Sequence, residues 1–227
     1  MIVLAPLYLT TAFAFGMPQN ISCTAPDKTA EYRVDLDVAR PVIDHTVTRD
    51  RLKTFETATV SPYGNNQNVH VNGLMRGAIS TESRMALGWQ RTQDNAVNCF
   101  WYDNVSLKIT LKPIIFIARE IPEGSCSYRE VLNHEYRHYE TDYKIAEEYQ
   151  VIFKNELDRF LKTASVVGPY PRGQQEQVQQ QLGQRIEQLV KSVNQRLDTD
   201  RKNRQALIDT RAEYERVAHA CAGRSDL

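Results

Sequence analysis

The stretch "HEYRH", residues 134 to 138, sets two histidines four apart with a glutamate directly after the first. On a helix, residues i and i+4 project from one face a turn apart, so the rings of His134 and His138 can converge on a single ion. Glu135 points about 100° round the helix, within reach of a water beside that ion without displacing it. Zinc (Zn2+) in such a grip brings the pKa of water towards neutrality and polarises a carbonyl, while an adjacent carboxylate takes the proton during attack. The expected roles are metal ligands for His134 and His138, and general base then proton donor for Glu135. The chain holds five histidines in 227 residues, so this spacing with a glutamate in place is improbable from composition. The alternative is two ordinary polar residues on a long, partly exposed helix.

A zinc site of this type needs a third protein donor. Asp142 continues the four-residue spacing, yet on a straight helix it lies about 12 Å along the axis from His134, too far to share one ion. Glu147 and Glu148 are farther still, so the donor must come from another element.

Two long helices are available to supply it. "SYRE", Ser127 to Glu130, fits a capping box, and neither glycine nor proline follows until Gly168. One helix is expected from about 128 to 163, burying Leu132, Tyr139, Tyr143, Ala146, Phe153, Leu157 and Phe160. Tyr136 and Tyr139, beside the motif, are read as core and given no chemical role. "VVGPYPRGQQ" breaks the helix, and a second runs from roughly 174 to 220, with Val178, Leu182, Ile186, Leu189, Val193 and Leu197 on one face. The simplest arrangement is an antiparallel hairpin. Folded about 169, it sets position 136 opposite about 202, within "DTDRKNRQ", where the apolar stripe lapses. A polar gap facing a polar motif reads as a hydrated cleft. Asp198, Asp200, Asp209, Glu213 and His219 all stay open as the third ligand.

Before these helices, residues 30 to 118 favour strands: "EYRVDLDVA", "QNVHVNG" and "VSLKITLKPIIFIA". In the last, Val105, Leu107, Ile109 and Leu111 share one face, and Pro113 bends the run or places it near an edge. "SPYGNN" and "DNAVN" supply turns, and "TRDRLKTFETAT" suits a short helix. The fold class is α+β: a mostly antiparallel N-terminal sheet, then a helical hairpin that carries the motif. With 41% hydrophobic residues, one domain over 15–227 is expected. Lys and Arg balance Asp and Glu at 28 each, so no overall field recommends nucleic acid or an anionic membrane surface.

The opening run "MIVLAPLYLTTAFAFG" reads as a signal peptide over residues 1–14, ending at Ala12-Phe13-Ala14, although Lys28 is the first basic residue. The run is shorter than the roughly 20 apolar residues of a membrane span. Asn20-Ile21-Ser22-Cys23 has the small residue that precedes a lipoprotein cysteine, but Asn20 stands where an aliphatic residue belongs, so no lipid anchor is expected. Cys23, Cys99, Cys126 and Cys221 suggest two disulfides in an exported chain, secreted or periplasmic. Of three possible pairings, Cys99 with Cys126 and Cys23 with Cys221 is preferred. No C-x-x-C spacing marks a zinc knuckle or a redox dithiol.

The signal segment, the cysteine opening a strand in "CFWYDNVSLKITLKP", the motif "HEYRH" and the following hairpin together resemble the predicted secreted zinc-dependent proteases, a bacterial family first catalogued as a domain of unknown function. The resemblance covers about the C-terminal half. It implies a zincin-like α+β arrangement and a peptidase acting on peptide or protein substrates, with His134, Glu135 and His138 in the family's roles. Two departures stand out: Arg137 occupies the place of a usual glycine, and "DTRAEYERVAH" lacks the family's histidine-glycine signature. The rival reading is a non-catalytic envelope protein whose hairpin, with faces such as "GQQEQVQQQLGQRIEQ", binds a partner.

Overall fold

A computed structural model describes residues 23–24, 29–55, 70–92, 97–164 and 166–222. The signal segment 1–14, the "SPYGNN" turn and most of "DNAVN" lie outside the described residues.

The described residues form an α+β fold with two mixed sheets. In the larger, β1 (Glu31–Val38), β5 (Val97–Leu111) and β4 (Ile79–Arg91) lie in the order β1-β5-β4, and β7 (Val167–Pro171) also pairs with β5. Val105, Leu107, Ile109 and Leu111 are buried as expected, while Lys108 on the opposite face is exposed. The smaller sheet places β6 (Ile114–Ile117) between β2 (Val42–Asp44) and β3 (Gly73–Arg76). Pro113 stands at the step where the chain leaves β5 and enters β6. The step from β1 to β2 runs alongside it, with Ala39 N–H donating to Leu111 O and Val42 N–H to Pro113 O. Consequently β1 pairs with β5, and β2 with β6, in parallel. The other pairings, β4/β5, β5/β7 and β3/β6, are antiparallel, so the sheets are mostly antiparallel, as expected from sequence. Of "QNVHVNG", residues 67–69 lie outside the described residues, and among 70–73 strand pairing begins at Gly73.

α1 (Arg49–Leu52) is capped by Thr48. The long helix α2 runs Cys126–Thr163 and is capped by Ser125, whose Oγ accepts the Tyr128 N–H at 3.1 Å. The start therefore precedes the Ser127–Glu130 box by two residues. α3 spans Gln175–Ala206, and β7 lies in the connection between the two. Contacts of His138 with Gln205, Asp142 with Arg201 and Glu156 with Arg196 show that α2 and α3 run antiparallel. The second helix does not continue to 220: it stops at Ala206, and a separate helix α4 (Arg211–His219) follows, capped by Thr210.

The buried face of α2 includes Ala146, Phe153 and Leu157 as expected but turns from the expected stripe near the motif. It contains Val131, His134, Glu135, His138, Asp142, Ile145, Ala146, Tyr149, Phe153, Leu157 and Leu161, whereas Tyr143 is exposed. An apolar stripe misses this turn because polar residues occupy the inward face near the motif. Two apolar cores explain the arrangement. Ile145, Phe153 and Leu157 pack with Phe100, Leu107, Ile109, Leu182 and Ile186, whereas Val131 and Tyr128 pack with Leu52, Ile115, Ile117 and Ile121. Residues 134 to 142 lie where α2 passes from the small-sheet core to the large-sheet core.

The disulfides are Cys23–Cys99 and Cys126–Cys221, which corrects the preferred pairing while retaining all four cysteines. β5 carries Cys99 roughly 40 Å, at about 3.3 Å per residue, from the end of the strand that leads towards α2. Cys126 instead opens α2 where α4 returns.

Candidate metal centre

Helix geometry delivers the first two donors, and the break between α3 and α4 delivers the third. His134 Nε2 and His138 Nε2 are 3.3 Å apart. Asp209, in the turn between α3 and α4, places Oδ1 at 3.4 Å from the first and 3.1 Å from the second. These residues form a group whose ligand atoms lie close enough to hold one metal ion. The fit is quantitative. Nitrogen and oxygen donors at about 2.0–2.1 Å from zinc define a tetrahedron with edges of roughly 3.3–3.4 Å, close to all three separations. His134, His138 and Asp209 are 8%, 8% and 9% exposed, so the donors are largely withdrawn from water yet near the surface.

The rear nitrogens of both rings also have partners, as expected for oriented ligands. His138 Nδ1 meets Gln205 Oε1. His134 Nδ1 lies 3.2 Å from Arg137 Nη2 and 3.4 Å from Glu213 Oε1, which also receives the Arg137 guanidinium and Arg216 Nη2. Those two arginines hold the Glu213 carboxyl below its ordinary pKa, with Arg216 the larger influence. At His138, burial opposes protonation, but the Asp209 hydrogen bond, the negative Glu135 and Asp209, and Gln205 outweigh it and raise the pKa. Tyr214 closes one side, its ring edge-on to His134 and its hydroxyl donating to Asp209 Oδ1 at 3.4 Å.

Glu135 is 5% exposed, and its Oε2 accepts the Met75 N–H of β3 at 2.6 Å. Burial pushes its pKa up, against the pull of His138, His134 and the Met75 amide. Strand and helix approach this closely because residue 73 is glycine: a Cβ there would fall 2.8 Å from Glu135 Oε1 and would also strike Val131.

Among the sequence candidates, then, Asp209 joins the histidines and Glu213 stands behind one of them. Asp200 pairs with Arg204, Asp198 is exposed on α3, and His219 is exposed in the last turn of α4. Asp142 is not a metal donor; it is fully buried and bound by Arg201 and Gln205. Tyr136 packs against the small-sheet core. The expected hydrated cleft is absent at this point: Arg201 and Gln205, from the polar gap, fill it. Neither was singled out from sequence, and neither was the Met75 amide. A signal for the α3–α4 break did exist. Thr210-Arg211-Ala212-Glu213 is itself a T-x-x-E pattern, and Thr210 Oγ1 accepts the Glu213 N–H at 3.2 Å.

Comparison with protein-family models, curated proteins and solved structures finds no significant match. The chemistry must be read from these residues.

Proposed function

We propose that this chain is an exported zinc metallopeptidase that hydrolyses peptide bonds, with His134, His138 and Asp209 holding the ion and Glu135 as general base. The observation that carries the reading is the near-equilateral triangle of donor atoms with a buried carboxylate on the same helix. Bound zinc would supply Lewis acidity, acidifying a water and polarising a carbonyl. The chain's own groups do the rest. Asp209 contributes the anionic donor, Gln205 and Glu213 orient the imidazoles, and the Met75 amide holds the Glu135 carboxylate in place to take a proton from water and return it to the leaving amine. Three protein donors leave a fourth tetrahedral position, the pattern of catalytic and not of structural zinc. Two disulfides fit an oxidising compartment, and no described helix is long and apolar enough to cross a membrane.

A second reading has its own support: α4 buries no residue, so a metal joining Asp209 to α2 could serve as a structural clip. One experiment separates the two. Purified protein is expected to carry one zinc and to cleave members of a broad peptide library. Glu135→Gln should keep the zinc and lose cleavage at least ~100-fold, the lower range for general-base catalysis. Zinc without cleavage by wild type selects the clip; no zinc uptake at micromolar supply defeats both.

A further inference from the structure

The chemistry above leaves two interior polar residues, Asp142 and Arg201, without a role, and does not say what orients Gln205 behind His138. Asp142 is 0% exposed. Its two oxygens accept from Arg201 Nε and Nη2, each at 2.7 Å, and Arg201 Nη2 also donates to Gly77 O at 2.7 Å. A buried ion pair is costly unless its remaining hydrogen-bonding capacity is met. Here Gln205 meets it, for its Nε2 donates to Asp142 Oδ1 at 2.6 Å and to the His138 carbonyl at 3.0 Å.

That pair of contacts fixes which end of the amide is which. A carboxylate paired with arginine and a backbone carbonyl can only accept, so the group facing them must be the NH2. The amide oxygen is left facing His138 Nδ1. An amide oxygen only accepts, so Nδ1 must carry the imidazole proton. Nε2 also faces an acceptor, Asp209 Oδ1 at 3.1 Å, so the charged ring donates from both nitrogens. On neutralisation the closer Gln205 contact keeps the proton on Nδ1 and frees Nε2, the atom turned towards His134. Glutamine is also the residue type this place demands. A glutamate at 205 would set a second carboxylate against Asp142 and lose both donated bonds.

We propose that Asp142, Arg201 and Gln205 are positioning residues: the ion pair orients the glutamine amide, and the amide fixes His138 as its Nδ1–H tautomer with Nε2 free to bind metal. The role deepens the metallopeptidase reading, but its central element, the tautomer, belongs to the metal-free protein. Arg201 links the halves of the site, because the Gly77 carbonyl it holds lies just past β3, the strand whose Met75 amide holds Glu135.

The test begins with metal-free, disulfide-intact wild type at alkaline pH, where imidazole is neutral. Nitrogen-15 NMR of the ring should show His138 predominantly as Nδ1–H, whereas unconstrained histidine in water favours Nε2–H. Gln205→Met should abolish that preference and weaken zinc binding 10–100-fold, the usual consequence of removing a ligand's hydrogen-bond partner. Arg201→Lys, which does not touch the ring, should shift both measurements the same way by a smaller amount. An Nε2–H tautomer in wild type overturns the proposal and requires no variant to fold. So does a Gln205→Met protein that folds with tautomer and zinc affinity unchanged. Failure of wild type to bind zinc would instead defeat the metallopeptidase reading and leave the tautomer result standing.

Discussion

Asp209 turns a pair of histidines into a three-donor site, and its placement depends on a single residue's position just beyond a helix end. Asp209→Asn keeps the shape but removes the anionic donor, so zinc affinity should fall by more than the ~10–100-fold expected for Glu213→Gln, which acts only behind His134. Chelator competition measures both. Equal losses for Asp200→Asn, whose partner is Arg204, would show that general charge and not coordination is responsible. The histidines and Glu135 were legible because their relation is local: four residues of helix place two rings together whatever the surrounding fold. Asp209 was legible only as one of five candidates. Its distance from His138 is set by the turn after Ala206, and no glycine or proline marks that turn; the Thr210–Glu213 capping pattern does.

At the scale of elements, the inward face of α2 explains both what was readable and what was not. The long helix, its β5 partner face and the antiparallel course of α3 follow from periodicity. The rotation of α2 does not, because the helix buries His134, Glu135, His138 and Asp142 against polar partners supplied by β3, α3 and the α3–α4 turn. Apolar periodicity cannot report a face whose partners are polar. The small sheet must also lie close enough for Met75 to bind Glu135, and Gly73 makes this possible. Gly73→Ala should therefore cost about 1–3 kcal/mol, as overpacking typically does, and should displace Glu135 with a loss of peptide cleavage. Denaturant unfolding of metal-free protein gives the first quantity and turnover at saturating zinc the second. An unchanged unfolding midpoint together with unchanged turnover would mean that strand and helix have slack at this contact, and the positioning role of β3 would have to be abandoned.

Across the whole molecule, the His134–His138–Asp209 group joins α2 to a segment that packs little against the rest of the described fold. α4 has no buried residue; Val217 alone among its side chains packs, partly buried, against the small-sheet core. Its ties to α2 include the contacts of Glu213 and Tyr214 with His134, the Arg216–Glu130 and Arg137–Glu213 pairs and the Cys126–Cys221 bond, which spans 95 residues of sequence. Partly exposed ion pairs contribute about 0–1 kcal/mol each, whereas closing a loop of this length restricts the unfolded chain by about 4–5 kcal/mol in the chain-entropy account. The disulfide is therefore the principal restraint on the segment that carries Asp209 and Glu213. A Cys126→Ser, Cys221→Ser double variant should retain its main helices and both sheets, since the two apolar cores do not involve α4 beyond Val217. Its zinc affinity should nevertheless fall at least tenfold, because α4 must now be ordered at the cost of metal binding. Linkage makes the effect reciprocal: zinc added to wild type should slow reduction of Cys126–Cys221 and leave Cys23–Cys99, at the far end of β5, unaffected. Chelator competition on the variant and mass-spectrometric thiol trapping on wild type provide independent readings. Equal zinc affinity with and without the bond would show that the α3–α4 turn holds Asp209 in place unaided, and the coupling between redox state and metal would have no basis.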